Sequence, residues 1–143
     1  MSKRTAQRVE HLPGHCLLCG CRVTRGGAAA HLAECPRRRT GKGQLMHLVV
    51  GSARWFDYWL HIEATPATTL ARLDQLLRDT WLECCFHLSC FHIGGQRFQS
   101  MDGVVGWGEP PRPMSTRLGD VLDVGQTFDH EYDFGSTTYL TGE

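Results

Sequence analysis

No stretch of this 143-residue chain approaches the roughly eighteen consecutive apolar residues of a membrane-spanning helix. The basic start, Met1–Arg8, lacks the apolar region of a signal peptide. Together these absences lead us to expect a cytoplasmic protein. A disulfide framework is also missing. Seven cysteines is an odd count, and three of them stand with a histidine at metal-ligand spacing, which favours reduced thiols and a bound metal. The sequence contains no Gly-x-Ser-x-Gly, P-loop, His-Glu-x-x-His or dinucleotide-binding glycine run. Asp133-Phe134-Gly135 is spelled like a kinase motif, but no glycine-rich or catalytic loop accompanies it, so the spelling is a coincidence.

What is present divides in two. Residues 1–43 carry nine Lys/Arg against two acidic residues, and the other hundred carry six against thirteen. The net charge of zero therefore hides a basic N-terminal part joined to an acidic body, and any polyanion contact is expected at the basic end. With 41% hydrophobic residues the chain can bury a core, and its length suits one domain plus a small metal module.

The basic part is organised by Cys16, Cys19, His31 and Cys35, spaced Cys-x2-Cys-x11-His-x3-Cys. That is the spacing of a C2HC zinc knuckle. Gly20 suits the tight turn that brings Cys16 and Cys19 together, and Pro13-Gly14 presents it. Arg22-Val23-Thr24 reads as a short strand with Thr24 as a helix cap. A helix over 25–34 puts His31 and Cys35 on one face, and Pro36 ends it. Cys21 reads as a bystander, and His11 and His15 are weaker ligand candidates. So small a module needs its metal to fold. Domain limits follow: a disordered basic tail at 1–10, the knuckle at 11–36, a flexible basic linker at 37–43 and a body at 44–143. The knuckle helix is lined with Gly26, Gly27 and Ala28–Ala30, so it lacks the long polar side chains of base readout. Arg22, Arg25, Arg37, Arg38, Arg39 and Lys42 instead suit phosphates or a protein surface.

In the body, 44–50 is expected as a strand turned by Gly51-Ser52. Along 54–63, Phe56, Tyr58, Leu60 and Ile62 form one apolar face, while Trp55, Asp57, Trp59, His61 and Glu63 form a mixed one. Leu70, Leu73, Leu76, Leu77 and Trp81 predict an amphipathic helix over 69–81, capped by Thr68 or Thr69, with Arg72, Asp74, Arg78 and Asp79 on its solvated face. A strand leads to Ile93, Gly94-Gly95 turn it back, and 99–116 form a long loop. A helical turn is expected at 118–122, and strands at 126–134 and 137–141 pair across Gly135. The sequence stops at Glu143 before anything covers that last strand, so its edge offers a homodimer contact.

Cys84, Cys85, His87, Cys90 and His92 are the raw material for a second metal cluster, although buried cysteine more often serves as a small hydrophobe. His87 and Asp133 are candidates for a buried pair linking two strands, either as structural glue or as a catalytic base with its orienter.

Tyr58-Trp59-Leu60-His61-Ile62, Thr69-Leu70-x-x-Leu73, His87-Leu88 before Phe91, and Tyr132-Asp133-Phe134-Gly135 occur in that order. Over roughly 44–143 this resembles the plasmid ORF-three-like family of Ri-plasmid type, whose members carry the "TnpR" label of insertion-element passengers. The resemblance implies an α+β fold: here, a small N-terminal zinc finger followed by a mixed, mainly antiparallel curved sheet packed on one main helix. A subgroup of that family carries a Cys/His knuckle. The family pattern continues Tyr-Asp-Phe-Gly with an acid and an aromatic, where this chain has Ser136-Thr137-Thr138, and its domain runs on for several strands beyond the point where this sequence stops. The expected function is that of a zinc-binding, non-enzymatic accessory protein of mobile-element type that binds nucleic acid weakly or a protein partner. The alternative is an enzyme of unknown reaction using the His87/Asp133 region.

Overall fold

The computed structural model describes residues 12–39, 41, 43–52, 58–82, 87–100, 108–133 and 138–142. The expected tail at 1–10, Lys42, Phe56, Cys84, Cys85, the Gly135 turn and much of the 99–116 loop lie outside them. The fold is α+β. A two-stranded ribbon, β1 (Gly14–His15) and β2 (Arg22–Val23), precedes the short helix α1 (Ala28–Glu34). The body comprises β3 (Met46–Ser52), β4 (Trp59–Ala64), α2 (Leu70–Leu77), β5 (Ser89–Ile93), β6 (Gln96–Gln99), α3 (Leu118–Val121), β7 (Phe128–Tyr132) and β8 (Thr138–Gly142). Six of these strands form one sheet in the order β4-β3-β8-β7-β5-β6. All of its strand pairings are antiparallel. Among the described residues, the parallel element is a single bridge from Phe98 to Arg112.

Three expected boundaries move. Gly51 and Ser52 do not turn the first strand but continue it, pairing with β8 on one side while Gly51 also pairs with Trp59. A Cβ at Gly51 would stand 3.3 Å from the Tyr58 carbonyl, so this glycine serves close approach between strands. α2 ends at Leu77, and a π-helical turn, Arg78–Leu82, carries the chain on past Trp81. The third correction concerns β8. It does pair with β7, but it also pairs with β3, so it lies inside the sheet. The open edge on which the homodimer expectation rested is therefore absent. The sheet's outer strands are β4 and β6, and Arg112 hydrogen-bonds along β6 through Arg97 and Gln99.

The core lies between α2 and one sheet face. Leu70, Leu73 and Leu77 pack with Leu48, Val50, Phe91, Ile93, Phe98, Leu118, Leu122 and Phe128, and Leu60 and Ile62 join from β4. Leu76 falls outside this stripe and is exposed. The start of α2 is satisfied on all sides. The Thr69 hydroxyl accepts from the Arg72 amide, and the amides of Leu70 and Ala71 donate to the carbonyls of Thr116 and Met114. In return, the amides of Leu118 and Gly119 donate to Thr68 and Pro66, which locks α3 across the helix start.

Gly119 sits so close that a Cβ there would lie 2.6 Å from the Pro66 Cβ and 3.1 Å from its carbonyl oxygen. Neither a proline ring nor a backbone can swing aside. Gly119→Ala is expected to cost about 1–3 kcal/mol in a urea unfolding titration, and an unchanged midpoint would show that this crossing is loose.

Candidate metal centre

The knuckle forms because Gly20, at φ +79, closes a tight turn in which the Gly20 amide donates to the Cys16 carbonyl. The Cys16 amide donates to Cys21 at 2.8 Å, which aligns β1 and β2. α1 is shorter than expected, since Gly26 and Gly27 stay outside it. The Thr24 hydroxyl accepts from the Gly27 amide at 3.1 Å in a turn before the helix rather than capping it. What remains is enough: His31 stands on α1, and Cys35 follows one turn later at its end.

Cys16, Cys19, His31 and Cys35 each offer one ligand atom, and these atoms all lie within 4.8 Å of one another. The Sγ atoms of Cys16 and Cys35 are 3.9 Å apart, and Cys19 Sγ is 3.3 Å from His31 Nε2. Tetrahedral coordination at about 2.3 Å to sulfur and about 2.0 Å to nitrogen would set such pairs at about 3.8 and about 3.6 Å. The four residues therefore form a group that could hold a metal ion. Their environment already eases ionisation at two positions. Burial opposes ionisation of Cys16, but the amides of Cys19 and Leu18, with His31, outweigh it and hold the thiol below its ordinary range. The Cys21 amide does most to lower Cys19. Burial pushes Cys35 up. Cys21 is exposed and outside the group, and its neighbour Cys19 raises it further. His15 is exposed on β1 and also stays outside.

The mixed face of β4 meets this module. The Trp59 indole lies under Gly14, where a Cβ would come within 2.9 Å of the ring, and its Nε1 donates to the Leu12 carbonyl at 2.9 Å. Arg38 grips Glu63 with two nitrogens and also reaches the Ala33 carbonyl at the end of α1. His61 bonds to His47 at 2.9 Å. Burial, then the neighbouring His47, hold His61 below the ordinary histidine range.

These contacts engage part of the expected phosphate-binding set. Arg38 is committed to Glu63, and the segment expected to be a flexible linker is anchored there. Arg25 is half-buried near Gly51 and His61. Arg22, Arg37 and Arg39 are exposed, while Lys42 lies outside the described residues.

His87 and Asp133 do come together, but both are half-exposed and Nδ1 is 3.6 Å from the carboxylate, beyond hydrogen-bond length. Asp133 adopts φ +56 and donates its amide to the Leu88 carbonyl, so its backbone helps tie the end of β7 to the start of β5. The buried histidine–carboxylate pair is a different one. His130 is fully buried, and its Nε2 is 2.7 Å from Asp74 Oδ1. The other Asp74 oxygen accepts from Arg78 Nε at 2.8 Å, and Arg78 continues to the His87 carbonyl and the Ser89 hydroxyl. Asp74 and Arg78 thus turn inward from a helix face expected to be solvated, while Arg72 and Asp79 do face solvent. Periodicity could not find this cluster, since its histidine and acid are 56 residues apart. A histidine on the core face of the 126–134 alternation was the available signal.

No family model and no curated protein matches the chain. Among solved structures, the chain is similar to a protein of unknown function, MM3350, from Methanosarcina mazei Go1, with a TM-score of 0.60 at 17% identity. The match covers 69% of this chain and 58% of that one, so this chain spans less than two thirds of its neighbour's length. At that identity the likeness is one of fold.

Burial opposes ionisation of Asp74, yet His130, Ser89 and Arg78 outweigh it and hold the carboxyl below the usual aspartate range. A lowered folded-state pKa contributes stability that is full above the unfolded value of about 3.9 and is lost as pH falls through the folded value. Asp74→Ala is expected to cost about 3 kcal/mol at neutral pH, because Arg78 and His130 lose their buried partner. Measured against pH, the gap between the two proteins should narrow below about pH 4, and a constant gap would deny the linkage.

Proposed function

We propose that the chain is a zinc-binding, non-enzymatic accessory protein whose knuckle is a structural metal site and whose exposed arginines bind a polyanion, nucleic acid being the partner of that chemistry. One observation supports the reading: four potential protein ligands converge, enough to close a tetrahedral shell, and closed Cys/His shells belong to structural zinc, whereas catalytic sites keep a position open. Three sulfurs and one imidazole are the donors that zinc prefers. The docking of Trp59 and Arg38 supports a module held against the sheet as a fixed presenting surface.

Arg22, Arg37 and Arg39 are exposed and give the module positive charge at its surface, and nothing in the knuckle helix suits base readout. Binding should therefore be weak, insensitive to sequence and dependent on salt. The mobile-element role implied by the plasmid ORF-three-like resemblance accords with such an accessory protein. An enzyme centred on His87 and Asp133 has less support, because their separation is longer than that of a base and its orienter.

Elemental analysis after dialysis should find one tightly held zinc per chain, and Cys19→Ser should lose it together with the fold of the knuckle. Retention of full metal by Cys19→Ser would remove the site. Replacing Arg22, Arg37 and Arg39 with Ala should weaken binding to mixed-sequence DNA and lower the slope of log K against log salt by about 2 to 3. Unchanged binding would point to a protein partner instead.

A further inference from the structure

The sheet face that carries the knuckle holds a second group of donors, on β5 and β7. In the ladder, Cys90 stands directly across from Glu131, and His92 is two residues further along the same face as Cys90. The sheet register thus brings the three together, with no loop required. Cys90 Sγ is 3.4 Å from His92 Nε2 and 3.3 Å from Glu131 Oε2, and His92 Nε2 is 2.6 Å from the same oxygen. All three donor atoms lie within 4.8 Å of one another.

We propose that Cys90, His92 and Glu131 form a second metal site, for a divalent transition-metal ion of the zinc class, with one coordination position left to water or to an exogenous oxygen or nitrogen donor. Tetrahedral bonding predicts separations of about 3.6 Å for sulfur–nitrogen, about 3.5 Å for sulfur–oxygen and about 3.3 Å for nitrogen–oxygen. The first two are nearly met. The third requires His92 and Glu131 to part by about 0.7 Å, and the His92 side chain, 44% exposed, has room to swing. One thiolate, one imidazole and one carboxylate suit zinc-class ions over magnesium or calcium. Three protein ligands are also the number found in open sites, unlike the closed knuckle.

Without metal, the Cys90 thiol donates to Glu131 Oε2 at 3.3 Å, so its proton sits between sulfur and carboxylate. Coordination exchanges that proton for the ion: the S–H bond breaks, the metal–sulfur bond forms, and the proton leaves to solvent. Arg97 stands beside Cys90, and its charge opposes a second cation. The site is accordingly weaker than the knuckle and fills after it.

The test takes protein carrying zinc in its knuckle and titrates it with Co2+ in weak buffer. Expected are a second equivalent, a thiolate-to-cobalt charge-transfer band, release of about one proton per ion, and no zinc in the filtrate. Cys90→Ser and His92→Gln should each abolish the band while knuckle zinc stays. His92 is exposed, so His92→Gln decides the matter alone if the buried Cys90→Ser fails to fold. The proposal is overturned if no second equivalent binds, if zinc is displaced in proportion to the cobalt taken up, or if the band survives His92→Gln.

Discussion

Successive side chains along a strand point to opposite faces, and in this protein that alternation assigns each face of the sheet a different partner. On β4, Leu60 and Ile62 face the core beneath α2, while Trp59 and Glu63 face the knuckle. On β5, Phe91 and Ile93 enter the core and Cys90 and His92 point away from it. A one-residue slip of either strand would exchange these sets and bury the wrong one. The core, the docking of the knuckle and the Cys90 group therefore depend on strand register, fixed by the antiparallel ladders. The Asp74–Arg78–His130 cluster is a further check on that register, since it joins α2 to β7 by charged hydrogen bonds at the base of the core. A buried network of this kind tolerates one arrangement, where an apolar contact tolerates several.

The parts of this arrangement that were legible in sequence are the local ones. Cys16, Cys19, His31 and Cys35 announce themselves by spacing, because a knuckle turn and one helical turn fix their distances within a short segment. Leu70, Leu73 and Leu77 as core follow from helix periodicity in the same way, and of the two threonines open as cap, Thr68 and Thr69, the structure uses Thr69. The mixed face of β4 was visible as a pattern, but its meaning was not. Arg38 and Glu63 are 25 residues apart, and their charges say only that each wants some partner. Likewise Glu131 completes the Cys90 group from 41 residues away. Gly51 and Ser52 looked like a turn because glycine both permits turns and permits close approach, and only the neighbouring Tyr58 carbonyl tells which is in force. α1 was overextended for the opposite reason: Gly26 and Gly27 weaken a helix by an amount that a good local pattern conceals.

The position of β8 has a consequence for how the molecule assembles. The β3–β4 hairpin and the three strands β7-β5-β6 share no strand pairing with each other in the sheet, and β8 is the one described strand that touches both. During synthesis each half can form its own ladder as it emerges, but the halves stay unjoined until residues 138–142 have left the ribosome. Until then β3 and β7 each present an unsatisfied row of backbone donors and acceptors, the condition under which partly made sheets associate with the wrong neighbour. Insertion of one late strand into a prepared slot is a contact of high sequence separation on its β3 side, and such closures are slow. The nascent chain thus passes through an interval in which its two half-sheets lack the strand that joins their ladders, and a chaperone that shields strand edges would act there.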